Sequence, residues 1–315
     1  PAGTDTVLGA SQQQRGSALK LRGEGRWQAD TNAGGQWRGK FVEVDARGGG
    51  AAQPWLAARD AELRLAFDAQ GRITEAQAQP GAASVLGAAL TWREARWQAA
   101  TAQRPAQVAL DAQLEALAIA PWLQRFQPQA GIGGDLTVKG RAVISNGAAF
   151  AADIVLERAG GDLTVTSEGV TQTLGMTDLR LSLAADQGTW HFAQAVAGSN
   201  LGVLVGATSL RLPPTATWPA PETPMQGVLE WRVADLGVWA PFTPRGWRVG
   251  GQLRTSAVIV GRFGAPEIEG RMEGSGLAVR NLLQGVDLRD GELALSLRGA
   301  DARIERFAFK GGDGE

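Results

Sequence analysis

Apolar residues recur at every second position through most of the chain, and the positions between them carry Arg, Glu, Asp, Gln or Ser. Leu63, Leu65 and Phe67 share one face of such a segment, and Leu179, Leu181 and Leu183 share one face of another. The same period links Leu163 with Val165, Leu229 with Trp231, Leu253 with Ala257 and Ile259, and Leu293 with Leu295 and Leu297. A period of two predicts strands with one apolar face. Turn signals at Asp68 to Arg72, Ala159 to Asp162, Ala185 to Gly188 and Asp290-Gly291 each predict a hairpin. Roughly twenty strands result, consecutive ones pairing antiparallel as a meander. At about 4.8 Å per strand such a sheet runs on the order of 90 to 100 Å, and it must twist and curl. Gly39, Gly140, Gly270 and Gly274 lie inside strands, where bulges or sharp coiling are expected.

Helical signals are few. Ala120 to Phe126 predicts one or two turns stopped by Pro128, with Trp122, Leu123 and Phe126 on one side. Val238 to Phe242, broken by Pro241 and Pro244, predicts only a turn. The segment 212–224 carries five prolines and reads as a loop crossing the sheet edge.

Leu117 to Gly140 and Leu236 to Gly261 are weakly similar copies of one unit. Leu117 and Leu236 are 119 apart, Pro121 and Pro241 are 120 apart, and Gly134 and Gly251 are 117 apart. Repeats near 120 residues predict an architecture that extends in one direction, each unit continuing its neighbour's apolar face. The expected division is 1–116, 117–235 with the proline-rich loop 212–224, and 236–315. The fold class that follows is all-β: one long, curled antiparallel sheet forming an elongated groove, with one or two short helical turns.

Composition removes several functions. The formal net charge is −1, and arginines alternate singly with apolar residues, so nucleic acid is not an expected partner. With Cys at 0 there is no disulfide or thiolate chemistry. His191 is the single histidine, which removes multi-histidine metal sites, and Trp190-His191-Phe192 reads as an ordinary strand. Gly131 to Gly134 opens a strand and not a helix, so it is no dinucleotide fingerprint. Glu267 and Glu269 share one strand face beside Arg262 and Arg271, whereas a glycosidase pair comes from separate strands in a cleft. No enzyme activity, cofactor or metal is expected. No apolar run of about 18 residues occurs, so no membrane helix is expected in the sequence, which opens on Pro1 and reads as part of a longer protein.

The apolar face has three possible destinations: a sandwich core, the lipid side of an outer-membrane barrel, or the lining of a trough. Against the barrel stand the absence of Tyr, scattered Trp residues and strands that read as short and irregular. A trough lined with Leu, Val, Ile and Ala suits acyl chains, since each buried CH₂ is worth about 0.8 kcal/mol without specificity. Ala88, Ala257 and Gly270 would keep it open. The expected lining is Leu63, Leu65, Phe67, Leu163, Val165, Leu179, Leu181, Leu183, Leu229, Trp231, Leu253, Ala257, Ile259, Leu293, Leu295 and Leu297.

Several stretches, LEALAIAPWLQRFQPQAGIGGDLTVKG and above all GRFGAPEIEGRMEGSGLAVRNLLQGVDLRDGELALSL, make the chain resemble the middle to C-terminal part of the TamB family, of betaproteobacterial type. That family belongs with AsmA-like proteins and is similar in architecture to bridge-like lipid transfer proteins. The resemblance implies a long β-taco in the periplasm, anchored in the inner membrane by a segment outside this sequence, whose trough carries phospholipid toward the outer membrane. It also implies an outer-membrane barrel partner, TamA, bound through a region outside this sequence, and a role in assembling outer-membrane proteins such as autotransporters. A β-edge scaffold or chaperone for those proteins is the alternative expectation.

Overall fold

Alternation becomes strand over most of the chain. The structure is a computed structural model that describes residues 4–14, 17–30, 34–48, 54–126, 131–167, 170–244, 246–299 and 301–311. Twenty-two strands form among the described residues. The first nine are β1 (Thr4–Gln14), β2 (Ser17–Asp30), β3 (Gly34–Arg47), β4 (Leu56–Ala58), β5 (Ala61–Phe67), β6 (Ile73–Ala78), β7 (Gly81–Val85), β8 (Ala88–Gln98) and β9 (Gln107–Ala118). Next come β10 (Ile132–Gly134), β11 (Thr137–Asn146), β12 (Phe150–Gly160), β13 (Leu163–Ser167), β14 (Val170–Thr173), β15 (Met176–Asp186) and β16 (Thr189–Gly198). The last are β17 (Gly202–Arg211), β18 (Met225–Val233), β19 (Arg248–Arg262), β20 (Ala265–Asn281), β21 (Val286–Gly299) and β22 (Asp301–Gly311). Nineteen belong to one antiparallel sheet, and β10, β13 and β14 make a separate three-stranded one. The chain divides into two compact units, Pro1–Leu117 with Lys139–Ile154 and Ala118–Val138 with Val155–Glu315.

In the first unit the meander holds once two broken strands are recognised. β4 and β5 lie end to end along β3, β6 and β7 lie end to end beside them, and both of the latter pair with β8. The first break falls at Arg59-Asp60, where Asp60 takes a positive φ, and the second at Gln79-Pro80, since Pro cannot donate to a ladder. The Asp68 turn joins β5 to β6: its Oδ1 accepts N–H bonds from Gln70 (2.9 Å) and Arg72 (2.8 Å). In the second unit β15 through β22 pair in strict succession.

Three expectations need correction. Many strands are longer than expected: β19 has 15 residues and β20 has 17, although β4 and β10 have three each. Glycines inside them are absorbed as bulges, as between Gly274 and Leu277, so strand length does not speak against a barrel. Asp290-Gly291 is no hairpin. Asp290 takes φ 48° inside β21, and the register shifts there against both neighbours. Nor is Ala159 to Asp162 a hairpin, since it separates β12 from β13. Asp162 bridges the break: its carboxylate accepts N–H bonds from Leu163 (2.8 Å), Gly175 (2.9 Å) and Met176 (2.9 Å). Of the four expected turns, Ala185 to Gly188 and Asp68 to Arg72 turn the chain back, the former through positive φ at Gln187 and Gly188.

The two repeat copies have matching backbones. Gly134 takes φ 106° and Gly251 φ 102°, a region L side chains rarely adopt. A Cβ on Gly134 would meet Asp162 O at 2.2 Å, and one on Gly251 would meet Gly276 O at 2.6 Å. Ahead of each glycine stands the expected short helix, α1 (Ala120–Phe126) in one copy and a 3-10 turn (Leu236–Phe242) in the other. Pro128 lies outside the described residues, as do the Gln124 to Phe126 side chains. Val238 of the second turn joins Leu136, Val165, Leu174 and Met176 in a buried cluster, with Ile119 and Trp239 packed against it. The second copy's turn thus closes the core of the first.

Candidate apolar binding face

Residues directly opposite in an antiparallel ladder point to the same side, so the registers show which side chains share a face. In the second unit one row runs Leu179, Val196, Leu204, Trp231, Thr255, Met272, Leu295, Ile304 across eight strands. The next row runs Leu181, Gln194, Gly206, Leu229, Ala257, Gly270, Leu297, Ala302. A third holds Leu183, Phe192, Thr208, Gly227, Ile259 and Ile268, and Leu253 faces Leu293 across Gly274. No charged residue occurs in these rows. The intervening rows hold Arg180, Glu230, Arg232, Arg254, Arg271, Glu273 and Arg298.

The first unit repeats this separation. Trp27, Trp37, Leu65, Ala76, Trp97 and Val108 form one row, and Gly25, Gly39, Leu63, Ala78, Ala95 and Leu110 form the next. Behind them stand Arg26, Arg38, Arg64, Gln77 and Arg96. Phe67 lies beside Trp27, ring centroids 5.1 Å apart. Gly39 is a close crossing without a bulge: a Cβ there would meet Glu24 O at 2.2 Å. Gly140 lies within β11.

Eleven of the sixteen expected lining residues, those from Leu179 onward, therefore share one face in the second unit, and Leu63, Leu65 and Phe67 share one in the first. Leu163 and Val165 lie outside these rows but meet the end of the first one, since Leu179 and Val196 pack against the cluster that holds Val165. They sit on β13 in the three-stranded sheet, where Val165 belongs to the buried cluster and Leu163 packs against it. The side chains on the large face are mostly half-buried, and some are open, Leu181 at 41% exposure and Ile304 at 63%. Ala88, Ala257 and Gly270 do not leave space as expected. Ala88 and Ala257 are buried, and a Cβ on Gly270 would meet Ser256 O at 2.3 Å and the Ala257 Cβ at 2.7 Å. Small residues here let backbones approach.

The face has a partial cover at one end. Within the proline-rich loop Trp218 stands edge-on to Trp190 (6.4 Å) and to Phe263 (5.9 Å), and Gly264 N–H donates to Pro221 O at 2.8 Å. The loop thus folds across the β19–β20 turn beside the apolar row end. Thr255 Oγ1, buried between Trp231 and Met272, has no hydrogen-bond partner.

Sequence reading missed two features. Trp27, Trp37 and Trp97 belong to the apolar rows; glycines alternating beside the first two thinned the hydrophobic signal. The charged face also carries Val203, Val205, Val228 and Val258, with Val228 57% exposed, and the last three line a depression of about 720 Å³ with Ala195 and Ala207.

Electrostatics belongs wholly to the opposite side. Lys40 reaches Glu24 and Asp60, each at 3.3 Å, and hydrogen bonds to both raise its pKa. Hydrogen bonds from Arg47, Arg232 and Arg289 hold Asp45, Glu230 and Asp287 below their ordinary range, and the backbone bond from Arg72 does the same for Asp68. These are pairs along exposed strands. His191 is exposed on the same side, between Ala184 and Ser209. Glu267 and Glu269 are likewise exposed there, and no group of three or more acidic, His or Cys residues is placed to hold a metal ion among the described residues.

No protein-family model, curated protein or solved structure matches the chain.

Proposed function

We propose that the uncharged face binds lipid acyl chains, and that the chain is part of a hydrophobic conduit carrying phospholipid across the periplasm between inner and outer membranes. The observation that carries this reading is the row register of the second unit: the rows on one side, from β15 to β22, hold no charged residue, and large apolar residues in them remain partly open to solvent. Such a surface has affinity for methylene chains of any length, at about 25 cal/mol per Å² covered. It offers no donor array that would select one headgroup. The charged reverse face keeps the same strands wetted, as a conduit in an aqueous compartment requires.

The resemblance to the TamB family gives this face its cargo and compartment, and contact with TamA through another region remains part of the proposal. A scaffold role in outer-membrane protein assembly is favoured by one observation: β22 has a single partner strand among the described pairings and shows Ile304 and Phe307 largely exposed. Mass spectrometry of organic extracts from the purified chain tests the first reading. Phospholipid in near-stoichiometric amount is expected. A lipid-free preparation that takes up no labelled phospholipid would sink it.

A further inference from the structure

The first repeat copy is covered by the second, and the corresponding end of the second copy is only partly covered. In the first copy Ile132 pairs with Val165; in the second Val249, 117 residues on, pairs with Val279. Leu163 Cα lies against Gly134 as Leu277 Cα lies against Gly251. Val279 is thus the counterpart of Val165. Val165 is buried because Val238, from the next copy's 3-10 turn, packs into its cluster with Trp239 alongside. Val279 is only half-buried, and directly after it the chain presents Leu282 at 86% and Leu283 at 93% exposure.

These two leucines are held out by a built structure. They open a 3-10 turn, Leu282–Gln284, whose buried N-cap residue Asn281 accepts the Gln284 N–H at 3.2 Å. Gly285 closes it in the left-handed conformation, φ 68°. A capped turn that displays two almost fully exposed apolar side chains has no use in an isolated sheet end.

We propose that Val279, Leu282 and Leu283 form a docking ledge for an apolar turn of a further repeat unit, patterned as Leu236–Phe242 is, with an aliphatic residue followed by Trp and a nearby Pro. The interface already present between Val238 and the Val165 cluster is its template. Repeat units then join by one rule: each turn closes the strand end of the unit before it.

The absence of native Cys allows one site-specific probe. An environment-sensitive dye on Gln284→Cys, titrated with the synthetic peptide ADLGVWAPFTP (residues 234–244), should show a saturable change, with half-saturation at about 1 mM or below. The same peptide carrying Val238→Asp and Trp239→Ala should bind at least tenfold more weakly. Leu282→Ser with Leu283→Ser in the labelled chain should abolish the change while circular dichroism stays constant, since both side chains are exposed. A response that survives the double substitution, or no saturation with the parent peptide, overturns the proposal. So does a response to phosphatidylcholine vesicles with none to the peptide, which would make the two leucines a membrane contact.

Discussion

Two residues show how single positions decide this fold. At Gly270 the strands cross so closely that any side chain strikes backbone. Gly270→Val should cost about 1 to 3 kcal/mol, read as a lower urea midpoint, whereas the same change at Gly147, with nothing near its missing Cβ, should cost much less. Asp162 accepts three backbone N–H bonds at a break between strands, so Asp162→Ala should lose about 1 to 3 kcal/mol. The exposed carboxylates act differently. Asp45, Asp68, Glu230 and Asp287 have lowered folded-state values, so their contribution is present above the unfolded values and is lost as pH falls through the folded ones. Acid unfolding followed by circular dichroism should therefore set in below about pH 4. Asp287→Asn should shift the midpoint little, because the pair is solvated. None of these roles could be read from residue type alone, since each depends on what the neighbouring strand places opposite.

At the scale of elements, the turn Leu236–Phe242 is the joint between repeats. Val238→Ala should destabilise the second unit by about 1 to 3 kcal/mol and expose the Leu136, Val165, Leu174 and Met176 cluster, measurable as faster hydrogen exchange in β13 and β15. The repeat, its glycine spacing and the helical character of Ala120 to Phe126 were legible in the sequence, because the positive-φ glycine and the prolines punctuate both copies alike. Strand identity was legible wherever Leu or Val alternated with charge. The expected bulge at Gly274 is present and Gly39 is a close crossing, but strand length was not legible, because such glycines thin the alternation that marks where a strand ends. The Asp290-Gly291 pair misleads because its residue types suit a hairpin turn and a bulge alike, and only the partner strands select between them. Leu163 and Val165 alternate like every other strand, and nothing local marks their transfer to the three-stranded sheet, which follows from the breaks at Asp135 and Asp162.

At the scale of the whole molecule, the proposed function rests on two faces of opposite character carried by the same strands. That division was visible in the period of the sequence; the registers add that most of the expected positions meet as neighbours within each unit. The valines on the charged side show that apolar residue type does not by itself assign a side. A direct test is transfer of labelled phospholipid to the purified chain, comparing Leu295→Asp and Ile304→Asp, both in one uncharged row, with Ser296→Asp on the reverse face beside Arg271 and Arg303. Ile304 is exposed, so its replacement leaves folding intact and separates binding from stability. Uptake should fall severalfold or more in the first two variants and remain at the parent level in the third. Equal uptake by all three, or equal loss, would contradict the assignment of the lipid-binding surface to this face.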